Sequence, residues 1–293
     1  MSAPPSDEFT LLPKRVRRGF DKAAATFDGA AAVHGEIRAR LLERLDVVRL
    51  KPENILDLGA GTGQGSRSLQ ERYSRALIVA FDLSLQMLIR ARRQQRWLRP
   101  FQRVAGDAHR LPLRDSTIDM VFSNLMLQWS HDPDAIFKEL RRVMRPQGLL
   151  TFATLGPDTL KEIRTAWRQV DNYTHVHRFI DMHDWGDALM RAGFAEPVMD
   201  TERLTITYAD SKSLFAELRS TGSTNVSLGR RQGLMSRRVA GLFEESHSTH
   251  RRDGLWPVTL EVVYGHAWTA ESTKPRPQGE AVVPFSSIAR RRR

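Results

Sequence analysis

In the stretch NILDLGAGTGQGS, an apolar run ends on Asp57 and Leu58, and glycines follow at Gly59, Gly61, Gly63 and Gly65 before a polar helical pattern begins. Without a Cβ, glycines at such a turn let backbone N–H groups and a helix N-terminus come close to a ligand. A nucleotide or an amino-acid carboxylate suits that chemistry, while a tight strand-to-helix connection explains the glycines without any ligand. Three further positions sharpen the choice. Asp82, with Leu83 beside it, closes the next apolar run, where a carboxylate can accept both hydroxyls of a ribose. Asp107 with Ala108 closes the third run, where a carboxylate can face an adenine amino group, and Asn124 closes the fourth. The last run continues as SNLMLQW, which sets the amides of Asn124 and Gln128 and the indole of Trp129 where a buried strand should be ending.

Other reactive side chains are less organised. His175 and His177 form an H-x-H pair that could bind metal, but no third ligand stands at helical or strand spacing, which favours an ordinary loop. Arg178 follows them and is either a contact for an anionic substrate or a solvated loop charge. Arg141, Arg142 and Arg145 share one helical run, and Arg230, Arg231, Arg237 and Arg238 another. Such runs are usually solvated faces, yet a basic rim beside a cleft can steer an acidic partner.

The elements that must position these residues alternate. Strands are predicted over 54–58, 76–82, 101–107, 118–124 and 148–155, with helices from Gln64, over 84–95 and over 133–144 between them. Strands that are apolar throughout and alternate with amphipathic helices imply a mostly parallel, doubly wound sheet covered on both faces, here Rossmann-like with seven strands. The carboxyl ends of such strands are the ligand-binding edge, so the four sites converge on one cleft. Ahead of the sheet, Phe20 to about Leu45 reads as one helix weakened at Gly29 and Gly35, and the first dozen residues read as frayed. Beyond the fifth strand come helices over about 157–170 and 181–193, a strand over 197–208, a helical block from Asp210 to about Glu245, and a last strand over 258–268. The division this implies is an N-terminal tail and lid helix over 1–46, a main domain over 47–268 with the helical insertion at about 210–245, and a flexible basic tail over 269–293.

Composition bounds the function. The 293 residues are 41% hydrophobic, enough for a large core. No cysteine is present, which excludes disulfides, cysteine zinc sites, iron–sulfur clusters and thiol catalysis, and suits a reducing, cytoplasmic setting. No apolar segment approaches the ~20 residues of a membrane helix, so no membrane partner is expected. Lys plus Arg number 45 against 34 for Asp plus Glu, a net charge of +11 that favours an anionic partner. No basic platform interleaved with aromatics accompanies that charge, which disfavours nucleic acid.

The pattern DLGAGTG resembles the first motif of the S-adenosylmethionine-dependent methyltransferases, and GDAHRLPLRDSTIDMVFSN is similar to their third and fourth. The NAD-binding Rossmann proteins share the glycines and the downstream acid, but not this order of motifs. More narrowly, FDKAAATFDGAAAVHGEI, SNLMLQW, ATLGPDTLKEIRTAW, HRFIDMHDW and WPVTLEVVYGHAW together resemble the malonyl-acyl-carrier-protein O-methyltransferase family of biotin synthesis, from about Phe20 to Trp268. The resemblance implies S-adenosylmethionine as cofactor, held by Asp57, Gly59, Gly61, Gly63, Asp82, Leu83, Asp107, Ala108 and Asn124. It also implies a substrate pocket at Asn124, Gln128, Trp129, Phe27 and Arg178, with malonyl-acyl carrier protein or malonyl-CoA as partner. Family members commonly carry Tyr where this chain has Phe27, and Gln where it has His34. Trp129 as ordinary core and Gln128 as a strand-end cap remain the alternative. Two other readings stay open: a related complex I assembly factor that hydroxylates a protein arginine, and a binding protein that kept the fold without turnover.

Overall fold

The computed structural model describes residues 9–130 and 132–270. Seven strands form one sheet in the order β3-β2-β1-β4-β5-β7-β6. These are β1 Asn54–Leu58, β2 Leu77–Asp82, β3 Gln102–Ala105, β4 Ile118–Asn124, β5 Met144–Leu155, β6 Phe194–Tyr208 and β7 Trp256–Thr269. β1 to β5 pair in parallel, and β7 runs antiparallel between β5 and β6. The ten helices among the described residues are α1 Pro13–Ala23, α2 Phe27–Ala30, α3 Ala32–Glu43, α4 Gln64–Arg72, α5 Leu85–Ala91, α6 Pro133–Val143, α7 Lys161–Arg168, α8 Met182–Arg191, α9 Ser211–Ser220 and α10 Arg237–Ser248.

Strand alternation divides the core in two. Leu56, Leu58, Val79, Phe81, Val121, Leu150 and Phe152 face Phe137 and Leu140 of α6 and Trp185 and Leu189 of α8. Their neighbours Ile55, Ile78, Ala80, Met120 and Phe122 face Ile37 and Leu41 of α3, Leu69 of α4 and Leu88 of α5. Both faces of β1, β2 and β4 are therefore covered, as the unbroken apolar runs require. β6 alternates partly buried with exposed residues along its length, as befits an edge strand. A third cluster packs Ile163 and Trp167 of α7 against Leu214 of α9, Phe243 of α10 and Val258 of β7.

Several boundaries differ from expectation. The single N-terminal helix is three, interrupted at 24–26 and at Ala31, while Gly29 and Gly35 lie inside helices. The interruption lets the chain turn over the cleft and still bury Ile37 and Leu41. Residues 9–12 are not frayed: Leu11 is buried and bridges Ser227, and the Leu228 N–H donates to the Thr10 carbonyl. β3 stops at Ala105, so Asp107 and Ala108 lie in the turn beyond it. The block between β6 and β7 is two helices around an irregular stretch at 221–236, and its second helix runs on to Ser248. The basic tail expected over 269–293 begins too early, since Thr269 is the last residue of β7 and pairs with Phe194, and from residue 271 onward it lies outside the described residues.

Candidate functional site

The carboxyl ends of β1, β2 and β4 and the turn after β3 form the floor of a cleft, and α1 to α3 form its roof. Gly59 has φ +80°, and a Cβ there would lie 2.4 Å from Met126, so the turn after β1 has no room for a side chain. The Gly59 and Ala60 N–H groups both donate to the Phe81 carbonyl, locking the loop against β2. Gly61, at φ +54°, has open space where a Cβ would stand, and its N–H donates to Asp82 Oδ2 at 2.8 Å. The Ser84 N–H holds Asp82 Oδ1 at 2.7 Å. Two backbone donors thus fix the Asp82 carboxylate at the mouth of the glycine loop. Burial outweighs them and pushes its carboxyl up to about 6.

One cavity is lined by Gly59, Gly61, Asp82, Leu83, Asp107, Ala108 and Asn124, together with Phe27, His34 and Trp129 from the opposite side. Eight of the nine positions assigned to the cofactor therefore meet on this cavity or, for Asp57, on a small one beside it. Gly63 is the exception. A Cβ there would lie 2.8 Å from Ala91 and 3.0 Å from Phe101, so its φ of +83° serves the packing of α4 against α5 and lines neither space. Asp57 is buried, accepts from the Ser66 hydroxyl at 2.6 Å, and is pushed up to about 6 chiefly by burial. Asp107 accepts from the His109 backbone N–H and lies 2.6 Å from His109 Nδ1, and His109 in turn reaches the Ser130 hydroxyl.

Side chains invisible as a motif hold the roof. Asp21 of α1 accepts from the Ser84 hydroxyl at 2.6 Å, and Asp28 of α2 accepts from Thr62 at 2.5 Å and Gln64 at 3.1 Å. Asn124 donates to the His34 carbonyl at 3.1 Å. Arg38 stands one turn after His34 on α3 and donates to Gln64 at 3.1 Å beside Asp57. Its spacing from His34 was the available signal, since residues four apart share a helix face.

The second part of the site is a cavity of about 610 Å³ under α7, α9 and α10. It shares His34, Leu125 and Trp129 with the first, and Gln128 stands at the junction. Trp129 is held edge-on by Phe20 at 5.2 Å and by His177 at 5.0 Å. Gln128 donates to the Leu125 carbonyl at 2.8 Å and accepts from Thr154 at 3.2 Å, so its amide also performs the capping role. Leu125 itself has φ +55°, the strained conformation that a functional strand end can retain when its surroundings hold it there. Phe27 packs edge-on against His34 at 5.1 Å. Burial pushes the His34 imidazole down to about 4, leaving it neutral at pH 7.

Two expectations fail. Arg178 is exposed and lines an outer groove with Arg164, Arg168 and Tyr173, and neither of the cavities that meet at Trp129. Its neighbour His177, in the same loop, is the buried one: it lines the long cavity and accepts from the Val226 N–H at 3.0 Å. Val176, His177 and Phe179 all turn inward onto the long cavity, and Arg178 alone of this run is exposed. Nor do Arg141, Arg142 and Arg145 rim the cleft. α6 runs back from the end of β4 to the start of β5, which carries its last turn to the far edge of the sheet. There Arg142 pairs with Glu139 and Asp115, and Arg145, which lies in β5 and not on the helix as expected, pairs with Asp119.

Residues 56–152 match the family model described as a methyltransferase domain. A protein of Methylovorus sp. (strain MP688) is 44% identical over 96% of this chain and 97% of its own, and one of Laribacter hongkongensis (strain HLHK9) is 46% identical over 96% and 98%. Both carry the name malonyl-[acyl-carrier protein] O-methyltransferase. This chain belongs to that family. The fold is likewise similar to a solved methyltransferase of Bacillus halodurans, with a TM-score of 0.58 at 18% identity over 80% of this chain and 98% of that one. By its family the chain is a methyltransferase. Among the described residues no helix is long and apolar enough to cross a membrane, and no group of three metal-ligating side chains occurs.

The family's cofactor fits the residues present. The Asn124 side-chain oxygen and the His34 Nδ1 are buried without a hydrogen-bond partner. Gly61 leaves open space beside the fixed Asp82 carboxylate, and Asp57 with Arg38 offers opposite charges to an amino group and a carboxylate.

Proposed function

We propose that the chain methylates the free carboxylate of a malonyl thioester carried by acyl carrier protein, giving the methyl ester for biotin synthesis. The observation that carries this reading is the neutrality of the junction between the two cavities. His34 is held uncharged there, Asn124 and Gln128 offer amides, and Trp129 closes the wall. A carboxylic acid of pKa near ~4 is already ionised at pH 7, so the nucleophile needs no general base. A cation clamped on that carboxylate would stabilise the ground state just as its charge is about to be neutralised; neutral donors avoid that.

Bound S-adenosylmethionine would supply an electrophilic methyl that passes to one carboxylate oxygen, leaving S-adenosylhomocysteine. Asp82 would accept from the ribose hydroxyls, Asp107 and Ala108 would border the base, and Asp57 with Arg38 and Asn124 would hold the amino-acid end. Gln128 and Trp129 would orient the acyl group. Their contribution would be positioning, an effect that can supply roughly 7–11 kcal/mol in well-oriented systems. Full-length likeness to relatives named for this reaction favours it over arginine hydroxylation and over a binding protein without turnover.

The test is incubation with labelled S-adenosylmethionine and malonyl carrier protein, with malonyl-CoA, free malonate and acetyl carrier protein alongside. The expected product is an alkali-labile methyl ester on the malonyl group, with none from acetyl carrier protein, and a kcat without a basic limb between about pH 6 and 8. An alkali-stable methyl on an amine or phenol, or a gain of oxygen, would overturn the assignment.

A further inference from the structure

The long cavity is far larger than a three-carbon acyl group needs. Its inner end is the junction at His34, Gln128 and Trp129, and where it reaches the surface between α9 and α10 its wall includes the exposed Met235. Between them the wall is mostly apolar, with hydroxyls and amides at Thr159, Ser223, Thr224 and Asn225. A pantetheine arm has that character: methylenes and a branched methyl pair interrupted by two amides and a hydroxyl.

The outer end lies in an unusual surface. Leu234 is 98% exposed and Met235 48% exposed, at the tip of the irregular stretch between α9 and α10. Arg230 and Arg231 precede this apolar tip, and Arg237 and Arg238 open α10 immediately after it. Arg231 lies 3.7 Å from Asp171, but among the described residues no carboxylate pairs with Arg230, Arg237 or Arg238. Placing two arginines in the first turn of a helix opposes its dipole, a cost that a bound acidic surface would offset. The nearby acids are occupied: Glu244 accepts from Ser211, and Glu217, hydrogen-bonded to Tyr208, has its carboxyl pushed up by burial despite that bond.

We propose that this face, Leu234 and Met235 within their arginines, docks an acidic carrier protein, and that the cavity behind it takes the pantetheine arm inward to the junction. The inference rests on the carrier-protein reading above and adds the surface and the path. A carrier domain presenting acidic side chains around the attachment point of its arm complements both the charge and the apolar tip. The anchor residues supply residence and the arginines supply approach.

The experiment compares two substrates, malonyl carrier protein and malonyl-pantetheine, which has the arm without the protein. In R237E/R238E, and separately in L234D at a fully solvated position, the ratio of kcat/KM for carrier over malonyl-pantetheine should fall by about tenfold or more, and the double variant should lose the salt sensitivity of carrier turnover. In Ala240→Trp, which projects a large ring into the cavity, kcat/KM should fall by about tenfold or more on both substrates while S-adenosylhomocysteine affinity by calorimetry stays within about twofold. An unchanged ratio in both surface variants, or full malonyl-pantetheine turnover in the plugged variant, overturns the inference while the function stands. A wild type that forms no ester from either substrate overturns the function and the inference with it.

Discussion

Asp82 shows how one carboxylate is prepared for its task. Two backbone N–H groups aim it, and burial raises its proton affinity. D82A should weaken S-adenosylmethionine and S-adenosylhomocysteine alike by ~1.5–3 kcal/mol, the range for hydrogen bonds to a charged group, as measured by calorimetry. The same site predicts a pH dependence. Asp82 and Asp57 are both pushed up to about 6, and a protonated Asp82 cannot accept from two hydroxyls at once. Affinity should therefore hold above pH 7 and decline as pH falls through about 6; constant affinity from pH 8 to 5 would contradict the assignment. Gly59 is constrained by space rather than charge. Gly59→Ala forces a left-handed backbone on a side chain 2.4 Å from Met126, and should cost several times the ~1 kcal/mol of backbone strain alone, read as a lowered Tm and lost cofactor binding.

The roof and α6 divide the charged and aromatic residues between function and scaffold. α1 reaches the site through the Phe20 ring on Trp129 and through Asp21 on Ser84. In Phe20→Ala the amides of α1 should exchange markedly faster while those of β1 and β4 keep their protection, because the sheet core does not include this contact. Equal loosening throughout would show that the roof is part of the global folding unit. α6 behaves in the opposite way. Arg142 ties the 111–115 turn through the carbonyls of Leu111 and Leu113 and the carboxylates of Glu139 and Asp115. Arg142→Glu should lose ~1–3 kcal/mol of stability by denaturant titration, with KM for carrier protein unaltered, since this helix end lies at the far edge of the sheet.

Across the molecule, buried histidines oppose buried acids in acid. His34, His177 and His247 are each pushed down to about 4 by burial, so between pH 6.5 and 4 the unfolded chain takes up protons that the folded chain refuses. Their contribution is complete above pH 6.5 and is lost as pH falls. Asp57 and Asp82 act with the opposite sign, binding protons in the folded state from about 6 downward. His247 separates the two effects. It is fully buried against Trp256 and Phe243, and neither ring nitrogen has a partner. His247→Phe should raise stability by ~1 kcal/mol at pH 8 and by more at pH 5; a gain independent of pH would refute the role of its titration.

The apolar runs and the glycine turn were enough to read β1, β2, β4 and β5, their parallel order and the convergence of Asp57, Asp82 and Asn124, because buried strands and positive-φ turns constrain composition locally. The motif set from SNLMLQW to HRFID was enough for the family. Other features depended on distant contacts that leave no periodic trace. The N-terminal helix breaks where it must arch over the cleft, and Asp21, Asp28 and Arg38 become its anchors through partners at Ser84, Thr62 and Gln64. His177 turned inward and Arg178 outward because the loop packs on Trp129, and Arg142 left the cleft because the direction of α6 is set by the crossover between β4 and β5. Residue type can propose a charge for a site, but which edge of the sheet that charge reaches follows from the path of the chain in three dimensions.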